Sequence, residues 1–264
     1  MRWSGSRSGV YRWLVSSTQA VGFYYAVAST SVSNAWAVGG TNWFSPQTLA
    51  EHWNGRSWTQ VATPTPDGTA YFEGIAATSR DNAWAVGVIG DGPAVDGSVD
   101  PLIEHWNGKS WSKADYPEPA RGFLAGVTAI SADDVWAVGH IGSGPGTQTL
   151  IEHWNGQQWS VVPSPNPTGQ TDLWRVAAAS PDDAWAVGYT NPNSGAPGTA
   201  AFHWNGKSWT VTSSVNPPGS GLSMLADIVI ISAADAWAVG SYDYWSATLI
   251  EHWNGTKWVW HLAS

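Results

Sequence analysis

The sequence predicts an all-β chain: a five-bladed β-propeller of four-stranded antiparallel blades. Three observations carry this. A stretch of the type Glu-His-Trp-Asn-Gly-x-x-Trp occurs five times, with its first tryptophan at Trp53, Trp106, Trp154, Trp204 and Trp253. A second stretch, Ser-x-x-(Asn/Asp)-(Ala/Val)-Trp-Ala-Val-Gly, precedes each copy and places Trp36, Trp84, Trp136, Trp185 and Trp237 about 50 residues apart. Periods of roughly 40–50 residues with four short strands per unit mark propeller blades. Finally, the run Ala-Trp-Ala-Val-Gly alternates large with small and is polar on neither side, as needed by a sheet covered by another sheet on both faces.

In the third repeat the elements follow in order. Strand one is expected over Gly126–Ile130 and strand two over Val135–Gly139, joined by a turn built on Ser131 and Asp134, whose side-chain oxygens suit nearby backbone N–H groups. Strand three follows over Thr149–Trp154 and strand four over Gln158–Val162. Asn-Gly between two apolar runs signals a two-residue type I′ hairpin. That turn would set Trp53 opposite Arg56, His52 opposite Ser57 and Glu51 opposite Trp58. The whole chain, 1–264, is expected to form one domain and to act as a monomer. Residues 1–20 are expected to place a strand near the ring closure: Tyr11–Val15 resembles a fourth strand, with Trp13 standing where Trp159 stands. It either pairs at the edge of the last blade within a closed ring or is the remainder of an upstream blade.

Composition removes several functions. The formal net charge is -9 with 11 Lys and Arg, a poor match for nucleic acid or an anionic membrane surface. No apolar run reaches the ~18 residues of a membrane helix, so no membrane insertion is expected. Cysteine is absent, which excludes thiolate metal sites and cysteine nucleophiles. Of 21 tryptophans, 15 occupy the three repeated positions and belong to the architecture first. The repeated His52, His105, His153, His203 and His252 lie on strand three, two strand spacings (roughly 10 Å) outside the channel strand, too far apart to share a metal. Their expected role is structural, with His105 and His203 bonding Ser110 and Ser208, and no cofactor or metal is expected.

The first repeat, Val38-Gly39-Gly40 followed by Glu51-His52-Trp53-Asn54 and Trp58, resembles the kelch pattern of the galactose oxidase propeller domain. The similarity runs from Val27 to the end, with Val88, His140, Tyr189 and Ser241 where the second glycine of the doublet would stand. The resemblance implies a propeller. It does not carry over the copper chemistry of galactose oxidase, which uses a cysteine-linked tyrosine.

With strand one innermost, turns one–two and three–four share one face and are uniform. Loops two–three and four–one share the other and differ in every repeat, including Gly90–Asp100, Pro163–Asp172, Asn191–Gly198 and Ser213–Ser223. Binding residues concentrate on such loops. The candidate ligand-binding residues are Trp43, Tyr71, Phe72, Tyr116, Trp174, Tyr242 and Trp245, with Arg121 and Arg175 as polar contacts. Exposed aromatic rings beside hydrogen-bonding groups suit sugars or an extended peptide. The favoured ligand is a glycan, with a protein surface as the alternative. Arg175 and Asp227, equivalent in adjacent repeats, are expected to form an ion pair or to leave Arg175 available to a carboxylate. Glycosidase chemistry needs clustered carboxylates, and only Glu73 and Asp227 begin inner strands, so no enzyme activity is expected. Lysine-poor, tryptophan-rich composition is expected of an extracellular or cell-surface protein.

Overall fold

The computed structural model describes residues 2–5, 11–14, 21–64, 68–90, 99–116, 121–144, 146–167, 169–191, 197–216 and 221–261, with side chains from residue 21 onward. Much of the variable loops at 91–98, 192–196 and 217–220 therefore lies outside the described residues, as does the side chain of Trp13. Five four-stranded antiparallel sheets follow one another with simple meander order, and no helix occurs among the described residues. Blade one comprises Phe23–Ser31, Asn34–Gly40, Thr48–Trp53 and Trp58–Val61, and blade two Thr69–Ser79, Asn82–Gly90, Asp100–Trp106 and Trp111–Lys113. Blade three comprises Gly122–Ser131, Asp134–Ile141, Gln148–Trp154 and Trp159–Val161, and blade four Gln170–Ser180, Asp183–Asn191, Gly198–Trp204 and Trp209–Val211. Blade five comprises Met224–Ser232, Asp235–Tyr242, Ala247–Trp253 and Trp258–His261. The first strands of successive blades pack on one another and line the central channel.

The repeated tryptophans form the blade interfaces. Trp36 of blade one lies 5.0 Å from Trp106 and 5.1 Å from Trp111 of blade two, ring centre to ring centre. The same contact recurs as Trp84 on Trp154 and Trp159, Trp136 on Trp204 and Trp209, and Trp185 on Trp253 and Trp258. Trp36, Trp84, Trp136 and Trp185 are all at least 98% buried. A fully buried large apolar side chain stabilises by about 2–3 kcal/mol, so this one contact, made four times, supplies much of the core. Among the residues whose side chains are described, blade five does not repeat it. Trp237 is only half-buried and meets His252 and His261 of its own blade.

The two repeated motifs are tied together on the uniform face. His52 Nε2 donates to Asn34 Oδ1 at 2.6 Å, and His105, His153, His203 and His252 do the same to Asn82, Asp134, Asp183 and Asp235. The next residue, Trp53, donates its indole N–H to the Val32 carbonyl in the turn between strands one and two, and its four counterparts follow suit. The histidines are structural, but their partner is the (Asn/Asp) of the other motif and not Ser110 or Ser208, because the hairpin register differs from expectation. Trp53 faces Trp58 and His52 faces Thr59. Asn54 Oδ1 accepts from the backbone N–H groups of Arg56 and Ser57 and so holds a four-residue loop. Only Gly55 in that loop has positive φ, whereas a type I′ turn needs two such residues. The side-chain bridge of an Asx-type loop has displaced the tighter turn.

The strand at Tyr11–Leu14 pairs with Arg2–Gly5, setting Trp13 opposite Trp3, and not with the edge of blade five.

Candidate functional site

Every inner strand carries two extra residues, one beside the turn to strand two and one at the channel mouth. At the mouth the register between strands one and two slips between Tyr24 and Ala26, Phe72 and Gly74, Leu124 and Gly126, Leu173 and Arg175, and Leu225 and Asp227. The bulged residues there are Tyr25, Glu73, Ala125, Trp174 and Ala226. A bulge bends its strand and re-aims side chains. It is built against the glycine that ends Ala-Trp-Ala-Val-Gly. A Cβ on Gly139 would sit 1.7 Å from the Phe123 carbonyl oxygen, and one on Gly39, Gly87, Gly188 or Gly240 would sit 2.0 Å from the equivalent oxygen. The repeated glycine thus encodes the five bulges that shape the channel mouth.

Two aromatic platforms result. Over blades one and two, Trp43 stacks on Phe23 (4.2 Å, 18°), with Tyr25 and Tyr71 packed around them at ring distances of 5.0–6.4 Å. Trp43 remains 69% exposed. Glu73, beside this cluster, has its carboxyl pushed up to about 7 by burial, with the Arg175 guanidinium pulling the other way. Burial, then Glu73 and Tyr25, push the Tyr71 hydroxyl up to about 12. Over blades four and five, Trp174 stacks on Trp245 at 6.4 Å and 14°. The loop presenting Trp245 runs through three consecutive non-glycine residues with positive φ, Asp243 (53°), Tyr244 (55°) and Trp245 (72°). Such backbone costs energy and clusters at functional sites.

The central channel holds a cavity of about 310 Å³ lined by Tyr25, Gly74, Gly126, Arg175 and Asp227, among others. Arg175 and Asp227 do not pair there. Arg175 donates to the Ala125 and Trp174 carbonyls, and Asp227 accepts from the Ile228 N–H, so each is satisfied by nearby backbone. A second cavity of about 270 Å³ opens between blades three and four, where His140 stacks on Phe123 and its Nδ1 lies 3.9 Å from Asp172. Burial lowers the His140 pKa, and Asp172 partly restores it.

Of the candidate residues, Trp43 and Tyr71 come together on one platform and Trp174 and Trp245 on the other. Arg175 lines the channel between them. Phe72 is a correction: it is fully buried and packs against Trp111, because the bulge after it leaves Tyr71 and Glu73 toward the mouth. Tyr116 and Tyr242 pack against interface clusters while staying part-exposed. Arg121 is exposed, and its backbone N–H is held by Asp100. Phe23 and Tyr25 were missed; aligning Phe23-Tyr24-Tyr25 with Tyr71-Phe72-Glu73 finds them from sequence.

No family model and no curated protein matches the chain. Solved structures do. YCF48 bound to D1 peptide is 12% identical with a TM-score of 0.57, the match covering 91% of this chain and 68% of that one. A GH74 xyloglucanase from Xanthomonas campestris is 15% identical with a TM-score of 0.59, covering 91% of this chain and 38% of the enzyme. Both are β-propellers, and this chain has their fold.

Proposed function

We propose that this propeller is a non-catalytic glycan-binding module, with the Trp43 platform as its principal contact. One observation carries the reading: Trp43 is largely exposed yet held flat against Phe23, a preorganised aromatic surface beside the Glu73 carboxyl and two tyrosine hydroxyls. The apolar C–H face of a sugar ring stacks on such a surface while its hydroxyls reach the polar edge. The Trp174–Trp245 pair supplies a second contact, so an oligosaccharide lies across the mouth. This reading also places the chain with kelch-like modules at the cell surface or outside the cell, as a monomer.

A glycan array followed by calorimetry tests it. Trp43→Ala is expected to weaken the selected glycan by roughly thirtyfold, the range of a buried aromatic anchor. The bound glycan is expected to stay intact on prolonged incubation. Binding unaffected by Trp43→Ala and by Trp174→Ala would remove both platforms from the reading.

A protein partner is the second reading, favoured by the strained Asp243–Trp245 loop, which holds Tyr244 and Trp245 more than 60% exposed. A folded sample that binds no glycan but retains a peptide through Trp245 would establish it.

A further inference from the structure

The four packed interfaces share one design, and the fifth position departs from it on both sides. Val38, Val86, Val138 and Val187 are fully buried, but the equivalent Val239 of blade five is 46% exposed. On blade one, Val27 is 68% exposed, where Ile75, Val176 and Ile228 are at most 9% exposed and Val127 is partly buried. Among the residues whose side chains are described, no tryptophan pair lies on the receiving face of blade five around Trp237.

The N-terminal segment carries such a pair. In each blade the arriving tryptophans sit opposite one another on strands three and four, as Trp106 and Trp111 do. In the N-terminal hairpin the backbone register sets Trp3 opposite Trp13. Its position in the chain is near that of a fourth strand: Trp13 precedes Ala26 by 13 residues, slightly fewer than the 15–18 that separate Trp58, Trp111, Trp159 and Trp209 from Gly74, Gly126, Arg175 and Asp227. The hairpin therefore corresponds to the outer half of a unit lying immediately before blade one. In a ring, that place is next to blade five.

We propose that the hairpin Arg2–Gly5/Tyr11–Leu14 seats on the open face of blade five in the same molecule, its tryptophan pair covering Trp237. It acts as a half-blade that fills the seam between blades five and one. The seam lies between the two aromatic platforms, so seating the hairpin also fixes their spacing.

The absence of cysteine makes the test clean. Val239→Cys, labelled with a benzophenone maleimide and irradiated, is expected to crosslink to residues 1–14 of its own chain, identified by peptide sequencing. Mixing isotopically heavy and light protein separates crosslinks within a chain from those between chains. The double variant Trp3→Ala/Trp13→Ala, in the same Val239→Cys background, leaves the four packed interfaces intact and is expected to reduce that crosslink to background. A crosslink to the Trp53–Trp58 hairpin would mean that blade one closes the ring directly. A heavy–light crosslink would mean that a second copy fills the seam. Either result, or a crosslink that survives the double variant, overturns the proposal.

Discussion

Gly139→Ala is expected to destabilise the protein by about 3 kcal/mol or more, a large loss for one methyl group. Overpacking a core costs about 1–3 kcal/mol when neighbours can move. Here the added carbon would meet the Phe123 carbonyl oxygen at 1.7 Å, and the Phe123 carbon and Leu124 Cα at 2.7 and 2.9 Å, all of them backbone. Relief requires the bulge to flatten, which shifts the register of the inner strand. Gly139 does not have positive φ, so the expected loss is steric and not conformational. Gly142 provides the contrast: its φ is 81°, but an added Cβ meets nothing within 4 Å. Gly142→Ala should cost only about 1–2 kcal/mol, the left-handed penalty. Chemical denaturation of the two variants separates these causes, and equal losses would sink the bulge argument.

The second large effect concerns pH. Glu104, Glu152 and Glu251 on strand three are fully buried. Among the described residues, both carboxyl oxygens of Glu104 and of Glu152 lack a hydrogen-bond partner. Burial is the main cause that raises Glu104 to about 8 and Glu152 and Glu251 to about 7, from an ordinary value of 4.5. The fourth repeat places Phe202 there, 1% exposed, which identifies the environment as apolar. A carboxyl raised on folding binds more protons in the folded state, so stability is full below pH 4.5 and falls as pH rises toward 8. His52, His105 and His140 are lowered by burial and oppose this on the acid side of 6.5. Between pH 6.5 and 9 these carboxyls and Glu73, itself raised to about 7, act together, and the unfolding free energy should drop by about 4 kcal/mol. Glu104→Leu should remove about 2 kcal/mol of that drop and stabilise the protein at pH 9. A flat or rising profile across this range would show that these carboxyls are ionised in the fold.

The repeat period and the alternation of strand two made the blades legible, because each reports directly on which face is covered. The hairpin register was not legible. Asn-Gly marks both a two-residue turn and the four-residue loop found, and the choice rests on Asn54 bonding two backbone N–H groups. The bulge was hidden for a related reason. Its signature is the repeated glycine of strand two, and the residue it accommodates lies on another strand. Grouping Phe72 with the other aromatics of the variable face therefore placed it at the mouth, and the core holds it. Arg175 and Asp227 were correctly placed at one level of the channel, but nearby backbone groups satisfied both before they could meet.

The contact of Trp36 with Trp106 and Trp111 joins unlike parts of neighbouring units, a head-to-tail arrangement. Each unit presents one kind of surface behind it and another ahead, and no contact in the series records how many units there are. A duplicated gene segment encoding one unit would find its receiving surface ready and offer the next copy the same welcome. Copy number can drift by recombination while every junction stays the same, leaving only the curvature of the assembly, and its two ends, for selection to reconcile.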